Sequence, residues 1–464
     1  MKSRRCAGIF AMLALWVLAG WILVACGGGG SGTSTGTGTV VGGGTGSSFG
    51  NAVVNAGGDT GPGGTDGSAG GTAGGSTGGA TGDGTGVADA GGIGGGSSGG
   101  GIGGTGSPAS VGGIHFYLTD APSCGYDAVY VTVQKVRVHR AAAAAGSDAG
   151  WSEVVLAPPR RIDLLTLTNG ALADLGETSL PAGKYTQLRL VLADNDSADP
   201  LANAVVPTGG SATPLETPSG AQGGIKLNID IDVAAGQVTD VVLDFNACKS
   251  VVSRGKSGRF NLKPFITVLP SAASPGLRVT GAVASALASD ATQVSLQRNG
   301  VPVRATHPDA NGAFVLSPVP AGTYDLVVTS PGHATAVVTD VPVSAAQPTR
   351  VDTPALPIDL PKSGLRTVSG SVNPASGSVR AVQTLADGRR VEVAWAPVDD
   401  STGSFGFALP YARSSTAAYI ASGPLAFVVE PAPAYSIEAE SAGVTKVQAI
   451  DVAAPVPPLT FSFP

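Results

Sequence analysis

The stretch GIKLNIDIDV, residues 224–233, decides the fold class. Ile225, Leu227, Ile229, Ile231 and Val233 fall on one parity, while Lys226, Asn228, Asp230 and Asp232 fall on the other. Strict alternation over nine residues is the period of a β-strand with one face in a core and one in water. Sheets with a wet face are antiparallel. YTQLRLVLAD (185–194) repeats the pattern, with Thr186, Leu188, Leu190 and Leu192 opposed to Gln187 and Arg189. So does GRFNLKPFITVL (258–269), through Phe260, Leu262, Pro264, Ile266 and Val268, where Pro264 predicts an edge strand or a bulge. In AVYVTVQKVRVHR (128–140) the phase changes: Val129, Val131 and Val133 share one parity and Val136 and Val138 the other. A bulge near Gln134–Lys135 returns both sets to one core. A short helix is expected around 163–176, DLLTLTNGALADLG, before a turn at LPAGKY (180–185).

Upstream, the chain has a different character. Lys2, Arg4 and Arg5 precede an uncharged apolar run from Gly8 to Ala25, and Leu23-Val24-Ala25-Cys26 closes it. The run is long enough to be weighed as a membrane span, and basic start, apolar centre and small exit residues also describe a secretory signal. LVAC resembles the lipobox of bacterial lipoproteins. That resemblance implies a signal peptide over 1–25, lipidation of Cys26, and anchorage to the membrane through the lipid. With Gly27 rather than aspartate after the cysteine, it implies the outer membrane. Several acyl chains anchor stably where one does not.

From Gly27 to Pro108 there are 38 glycines among 82 residues, no lysine or arginine, and Phe49 as the lone aromatic. Such a composition cannot bury enough apolar surface to offset its ordering entropy, so 26–111 is expected to be a disordered tether, spanning about 50 Å as a random coil. Its matches to G-x-S-x-G (46–50, 96–100) and G-x-G-x-x-G (101–106) lack the strand and helix that give those motifs meaning.

The formal charge is −6, and without the three basic residues of the leader it becomes −9. An acidic chain without a basic stripe argues against nucleic acid as a partner. Cys124 and Cys248 remain once Cys6 and Cys26 are assigned to the leader and the lipid. Two thiols in an exported domain read as one disulfide, worth about 4–5 kcal/mol in the chain-entropy account; free buried thiols are the alternative.

Four blocks, FYLTDAPSCGYDAVYVTVQKVRVH (116–139), IDLLTLTNG (162–170), LPAGKYTQLRLVL (180–192) and LDFNACKSVV (243–252), are similar to the domain of unknown function 4382 family of bacterial lipoproteins. The resemblance covers 112–270. Members often carry cysteines at the positions of Cys124 and Cys248, and the family implies no active site. Farther on, LRVTGAV (277–283) and LRTVSGSV (365–372) are alike. Each precedes D-x-x-G-x-F: Asp309, Gly312 and Phe314, then Asp400, Gly403 and Phe405. VPAGTYDLVVTSPG (319–332) has its more divergent counterpart in SGPLAFVVEPAPAYSI (422–437). These are two related β-sandwich units, 277–360 and 365–464. The first resembles the carboxypeptidase regulatory-like family. Asn311-Gly312 is expected to supply the positive φ angles of its hairpin.

The fold class is therefore mainly β: an antiparallel β-sandwich domain with a short helical insert, then two small immunoglobulin- or prealbumin-like sandwiches, all behind the tether. No cofactor is expected. His115, His139, His307 and His333 have no cysteine or histidine at metal-ligand spacing. Asp194, Asp196 and Asp199 could offer oxygens to calcium, but Ala198, Val205 and the missing glycine break the EF-hand pattern, which leaves a solvated acidic turn as the simpler reading. No nucleophile, acid pair or cofactor motif stands in a productive context, so an enzyme is not expected. Two readings stay open: an envelope lipoprotein that binds a glycan or a protein partner, and a structural spacer or assembly component. Trp151 and Trp395, the only tryptophans beyond the leader, are the candidate sugar-stacking side chains, or else core.

Overall fold

The computed structural model describes residues 110–120, 125–218, 223–271, 276–353 and 355–464. Cys26, the tether and Cys124 lie outside these residues. The described chain is almost wholly β and buries three hydrophobic cores.

The first core lies between two sheets formed by residues 111–271. One sheet has four strands in the order Ile266–Ser271, Val238–Phe245, Val111–Asp120, Ala173–Pro181. The other runs from Val251–Ser253 through Phe260–Leu262, Thr213–Glu216, Ala204–Pro207, Tyr126–His139 and Gly183–Leu192 to Ile225–Val233, with Ser152–Asp163 also paired to Tyr126–His139. Ile225–Val233 alternates buried and exposed at every position. The expected bulge is present: the register of Tyr126–His139 shifts between Val133 and Lys135 against both neighbours. Val129, Val131, Val133, Val136 and Val138 all end fully buried. Pro264 falls where the chain leaves one sheet for the other, between Phe260–Leu262 and Ile266–Ser271, and the latter is an edge strand.

Three expectations for this domain need correction. Val111–Asp120 pairs in parallel with Val238–Phe245, so the sandwich is not purely antiparallel. In Gly183–Leu192 a register shift between Tyr185 and Gln187 gives the inward place to Tyr185, and the Thr186 hydroxyl instead donates to the Arg140 carbonyl (2.5 Å). The helix around 163–176 is a single 3-10 turn, Leu164–Thr166. Asp163 caps it, then Asn169 (φ 57°) and Gly170 (φ 84°) reverse the chain, and Ala173–Pro181 is already strand. The α-helical turn is elsewhere, at Ala247–Ser250, where Asn246 Oδ1 accepts the Lys249 N–H.

The two following units share one topology. In the middle module, Val279–Ala282 lies between Ala313–Leu316 and Thr349–Arg350, facing a sheet ordered Val301–Thr306, Gln293–Arg298, Gly322–Thr329, Ala336–Val343. In the C-terminal module, Leu365–Asn373 lies between Ser404–Pro410 and Leu459–Ser462, facing Arg390–Pro397, Ser378–Thr384, Ala434–Ser441, Val444–Ile450. Order and direction correspond strand for strand. The same small devices recur. A Cβ on Gly281 would strike the Phe314 ring at 2.4 Å, and one on Gly370 the Phe405 ring at 2.7 Å, so each opening glycine makes room for the phenylalanine of the hairpin.

The hairpins depart from expectation in two ways. Only Gly312 has a positive φ (82°); Asn311 does not, because Asp309 Oδ1 accepts the N–H groups of Asn311 (2.8 Å) and Ala313 (2.9 Å) and holds the turn. In the second hairpin Asp399, not Asp400, is the equivalent. Its Oδ1 accepts from Ser401 (3.0 Å) and Thr402 (2.8 Å), in a loop one residue longer.

The counterpart of Gly322–Thr329 in the C-terminal module is Ala434–Ser441, later than 422–437 suggests, because the segment between Pro410 and Ala434 leaves the module. Its strand Ser415–Ala418 joins the middle module's sheet, in parallel with Ala336–Val343. Tyr419, Leu425 and Phe427 pack on the middle module's core.

Candidate functional site

Three domains meet around Glu392. Its Oε1 accepts a hydrogen bond from Lys249 Nζ of the N-terminal domain at 2.7 Å, and both side chains are about nine-tenths buried (10% and 8% exposed). Its backbone N–H and carbonyl bond the Gln297 carboxamide of the middle module, both at 2.8 Å. Its other carboxylate oxygen lies 3.7 Å from Arg380 within its own module. A buried ion pair is stable only when its charges are compensated; Lys249 and Arg380 compensate the Glu392 carboxylate, while Gln297 ties the Glu392 backbone to the middle module.

Above this junction opens a cleft of about 380 Å³. The N-terminal domain contributes Tyr126, Asn246, Cys248 and Lys249. The middle module adds Gln293, Ser330 and His333, and the C-terminal module adds Glu392, Trp395 and Pro410. Each side chain is placed by simple local chemistry. The Asn246 cap fixes the turn that carries Cys248 and Lys249, and the Ala247 N–H is held by buried Asp120 (2.7 Å). Trp395 projects from Arg390–Pro397, opposite Arg380 in the register, with Lys249 Nζ 5.5 Å from its ring centroid.

The two tryptophans part company here. Trp151 is pinned: Arg137 and Arg189 lie 4.5 and 5.3 Å from its ring centroid, His139 stacks at 5.1 Å, and its Nε1–H donates to the Ala145 carbonyl (2.9 Å). It fastens the loop between Tyr126–His139 and Ser152–Asp163 to the outer face of the sheet. Trp395 is half-buried in the cleft wall.

The remaining candidates are dispersed. Asp196 Oδ1 accepts the N–H groups of Ala198 (2.8 Å) and Asp199 (2.9 Å), which lowers its pKa and turns it into its own loop. Among the described residues no group of three His, Cys, Asp or Glu side chains surrounds a common point. His115 bonds Asp174 (2.8 Å) and Tyr117 (3.0 Å), and His139 bonds the Ala149 carbonyl (3.0 Å), both away from the cleft.

Sequence reasoning missed the carboxylates that latch the domains together. Asp399 Oδ2 accepts the Ser253 hydroxyl (2.9 Å) and the Gly255 N–H (2.6 Å) of the N-terminal domain. Burial alone would raise its pKa, but these bonds and those from Thr402 outweigh burial and bring it down to about 2. Asp400 pairs with Lys263 and accepts from Asn261 Nδ2 (2.9 Å). Asp244 pairs with fully buried Arg304 of the middle module, whose guanidinium also donates to Thr119 (2.7 Å). Arg389 spans Asp325 and Asp340 of the middle module at 2.8 Å each. The doubled aspartate at 399–400 was the visible signal, since a hairpin needs only one.

Two segments of the chain match known families. Residues 111–264 match the family described as domain of unknown function (DUF4382), and residues 278–356 match the carboxypeptidase regulatory-like domain. Neither description is of a catalytic domain. No curated protein matches the chain. Two crystal structures of mutant type II cohesin–X-dockerin complexes from Acetivibrio cellulolyticus align at 24% and 25% identity, over 19% and 18% of this chain and 59% and 57% of theirs, each with a TM-score of 0.16. The chain thus spans less than two thirds of those chains. A streptococcal ancillary pilin aligns at 10% identity over 75% of this chain and 99% of that one, with a TM-score of 0.14.

Proposed function

We propose that this chain, carrying a DUF4382 domain and a carboxypeptidase regulatory-like domain in that order, is a non-catalytic lipoprotein of the outer membrane whose three-domain head binds a glycan or protein partner in the cleft lined by Trp395. Cys26 carries the lipid, and the glycine-rich segment 27–108 is the tether. The observation that carries the reading is the position of the cleft. The tether joins the head at Val111, and Val111–Asp120 runs from there to Asp120, which holds Ala247 beside Asn246, Cys248 and Lys249. Ten residues of strand put the two ends roughly 30 Å apart, so the cleft lies at the end of that strand opposite Val111.

A disulfide between Cys124 and Cys248 belongs to the same reading. The chain leaves Asp120 in contact with Ala247 and returns at Tyr126 in the cleft wall next to Cys248.

The spacer alternative is disfavoured by the latches. Spacers in series leave their linkers free, whereas here each domain buries charged groups against both of the others. The test is in cells. Metabolic labelling with a fatty-acid analogue should tag the wild-type chain and not Cys26→Ser. Photo-crosslinking from position 331, at the cleft rim, should capture a glycan or protein that the Trp395→Ala chain loses. Labelling that survives Cys26→Ser, or capture indifferent to Trp395, contradicts the respective half of the proposal.

A further inference from the structure

We infer that the ligand of the cleft is an uncharged saccharide, seated against the Trp395 indole and hydrogen-bonded by the carboxamides of Asn246 and Gln293. The inference rests on the cleft being the head's binding site. It follows from how the lining spends its charge. Lys249 is the one lysine or arginine among the lining residues, and its ammonium is committed to Glu392 at 2.7 Å. A polyanion entering the cleft would therefore find no lysine or arginine left to pair with it and would meet the Asp290 carboxylate, 80% exposed in the lining, a juxtaposition that costs binding energy.

The uncommitted polar groups are of another kind. Asn246 Oδ1 is taken by the Lys249 N–H at 2.9 Å, which leaves its Nδ2 donors, and the Gln293 carboxamide has no partner among the described residues. Carboxamides donate and accept at one site, as sugar hydroxyls do. Beside them stand flat apolar surfaces, the Trp395 ring with Pro331, Pro397 and Pro410. A wall that is aromatic and apolar with a few fixed polar groups is the usual build of a small-ligand site, and a pyranose offers a C–H face to the ring and hydroxyls to the amides.

The test uses the full-length chain in detergent micelles, with affinity electrophoresis through gels containing a neutral polysaccharide (a β-glucan or a galactomannan) or an acidic one (alginate or polygalacturonate), at low and high salt. The expected result is saturable retardation by a neutral polymer, unchanged by salt, weakened at least tenfold in Trp395→Ala and about three- to tenfold in Gln293→Ala. Gln293 anchors nothing in the fold, so its variant remains informative if Asn246→Ala, which loses a helix cap, does not fold. Retardation chiefly by acidic polymers, fading with salt and lost in Trp395→Ala, would overturn the uncharged class while leaving the cleft as the site. Neutral binding indifferent to Trp395→Ala would overturn both. Silence with every polymer would overturn the saccharide, and the crosslinking experiment above would then decide the cleft.

Discussion

Glu392 and Asp399 show what single residues do in this molecule. Replacing Glu392 by alanine leaves Lys249 buried and unpaired, and we expect a loss of about 3 kcal/mol in denaturant unfolding. Lys249→Met combined with Glu392→Ala should recover much of it, because the double change leaves no orphan charge; equal losses in single and double variants would show that the pair is not the source. Asp399 makes stability depend on acid. Its carboxyl titrates at about 2 in the folded chain against about 3.9 when unfolded, so the carboxylate form favours folding. The contribution is complete above about pH 5 and is lost as pH falls through about 4 to below 2, amounting to about 2.6 kcal/mol at most. Thermal melting across that window should show the loss in the wild type, and a smaller one in Asp399→Asn. Gly312→Ala is a third residue-scale case. Its Cβ would lie 2.3 Å from the Val283 carbonyl at a φ of 82°, so we expect at least about 2 kcal/mol of destabilisation. These roles were only partly legible. A glycine before a hairpin phenylalanine can be read from sequence, whereas Trp151 and Trp395 look alike there, and only the structure separates a ring packed between Arg137 and Arg189 from one in the wall of the cleft.

Among elements, the strands were legible wherever one face is wet. Ile225–Val233 alternates without exception, and the valine phase change located its bulge to the residue. Legibility failed where both faces are covered. Gly322–Thr329 holds an unbroken buried run because Tyr324, Leu326 and Val328 enter the middle core while Val327 enters the C-terminal one. It failed again at 163–176, where strand pairing with Val111–Asp120 claims the second half of an apolar stretch that alone suits a helix. The segment that departs after Pro410 was hidden too, since a strand's partner is not written in its own period. We expect that strand, paired with the middle module's sheet, to bind the two modules into one cooperative unit. Replacing 412–430 with a short glycine-serine loop should split the calorimetric transition of the two modules into separate peaks, while one unchanged peak would mean that the side-chain latches suffice.

At the scale of the whole molecule, the three described sandwiches share one body. Small-angle scattering of residues 110–464 should give a radius of gyration of roughly 21 Å; a much larger value would mean the domains separate in solution. The order of domains was readable from motifs alone, but their mutual docking was not, because latches such as Arg304–Asp244 join residues far apart in sequence whose neighbours carry no pattern. The cleft, a product of docking, was for that reason invisible. Its occupancy is the central claim, and the direct measurement is the emission of Trp395 itself. In a Trp151→Phe chain, titration with neutral oligosaccharides should give a saturable shift in tryptophan fluorescence, absent when Trp395 is also made phenylalanine. Oligosaccharide binding detected by calorimetry with no change in that emission would contradict the account.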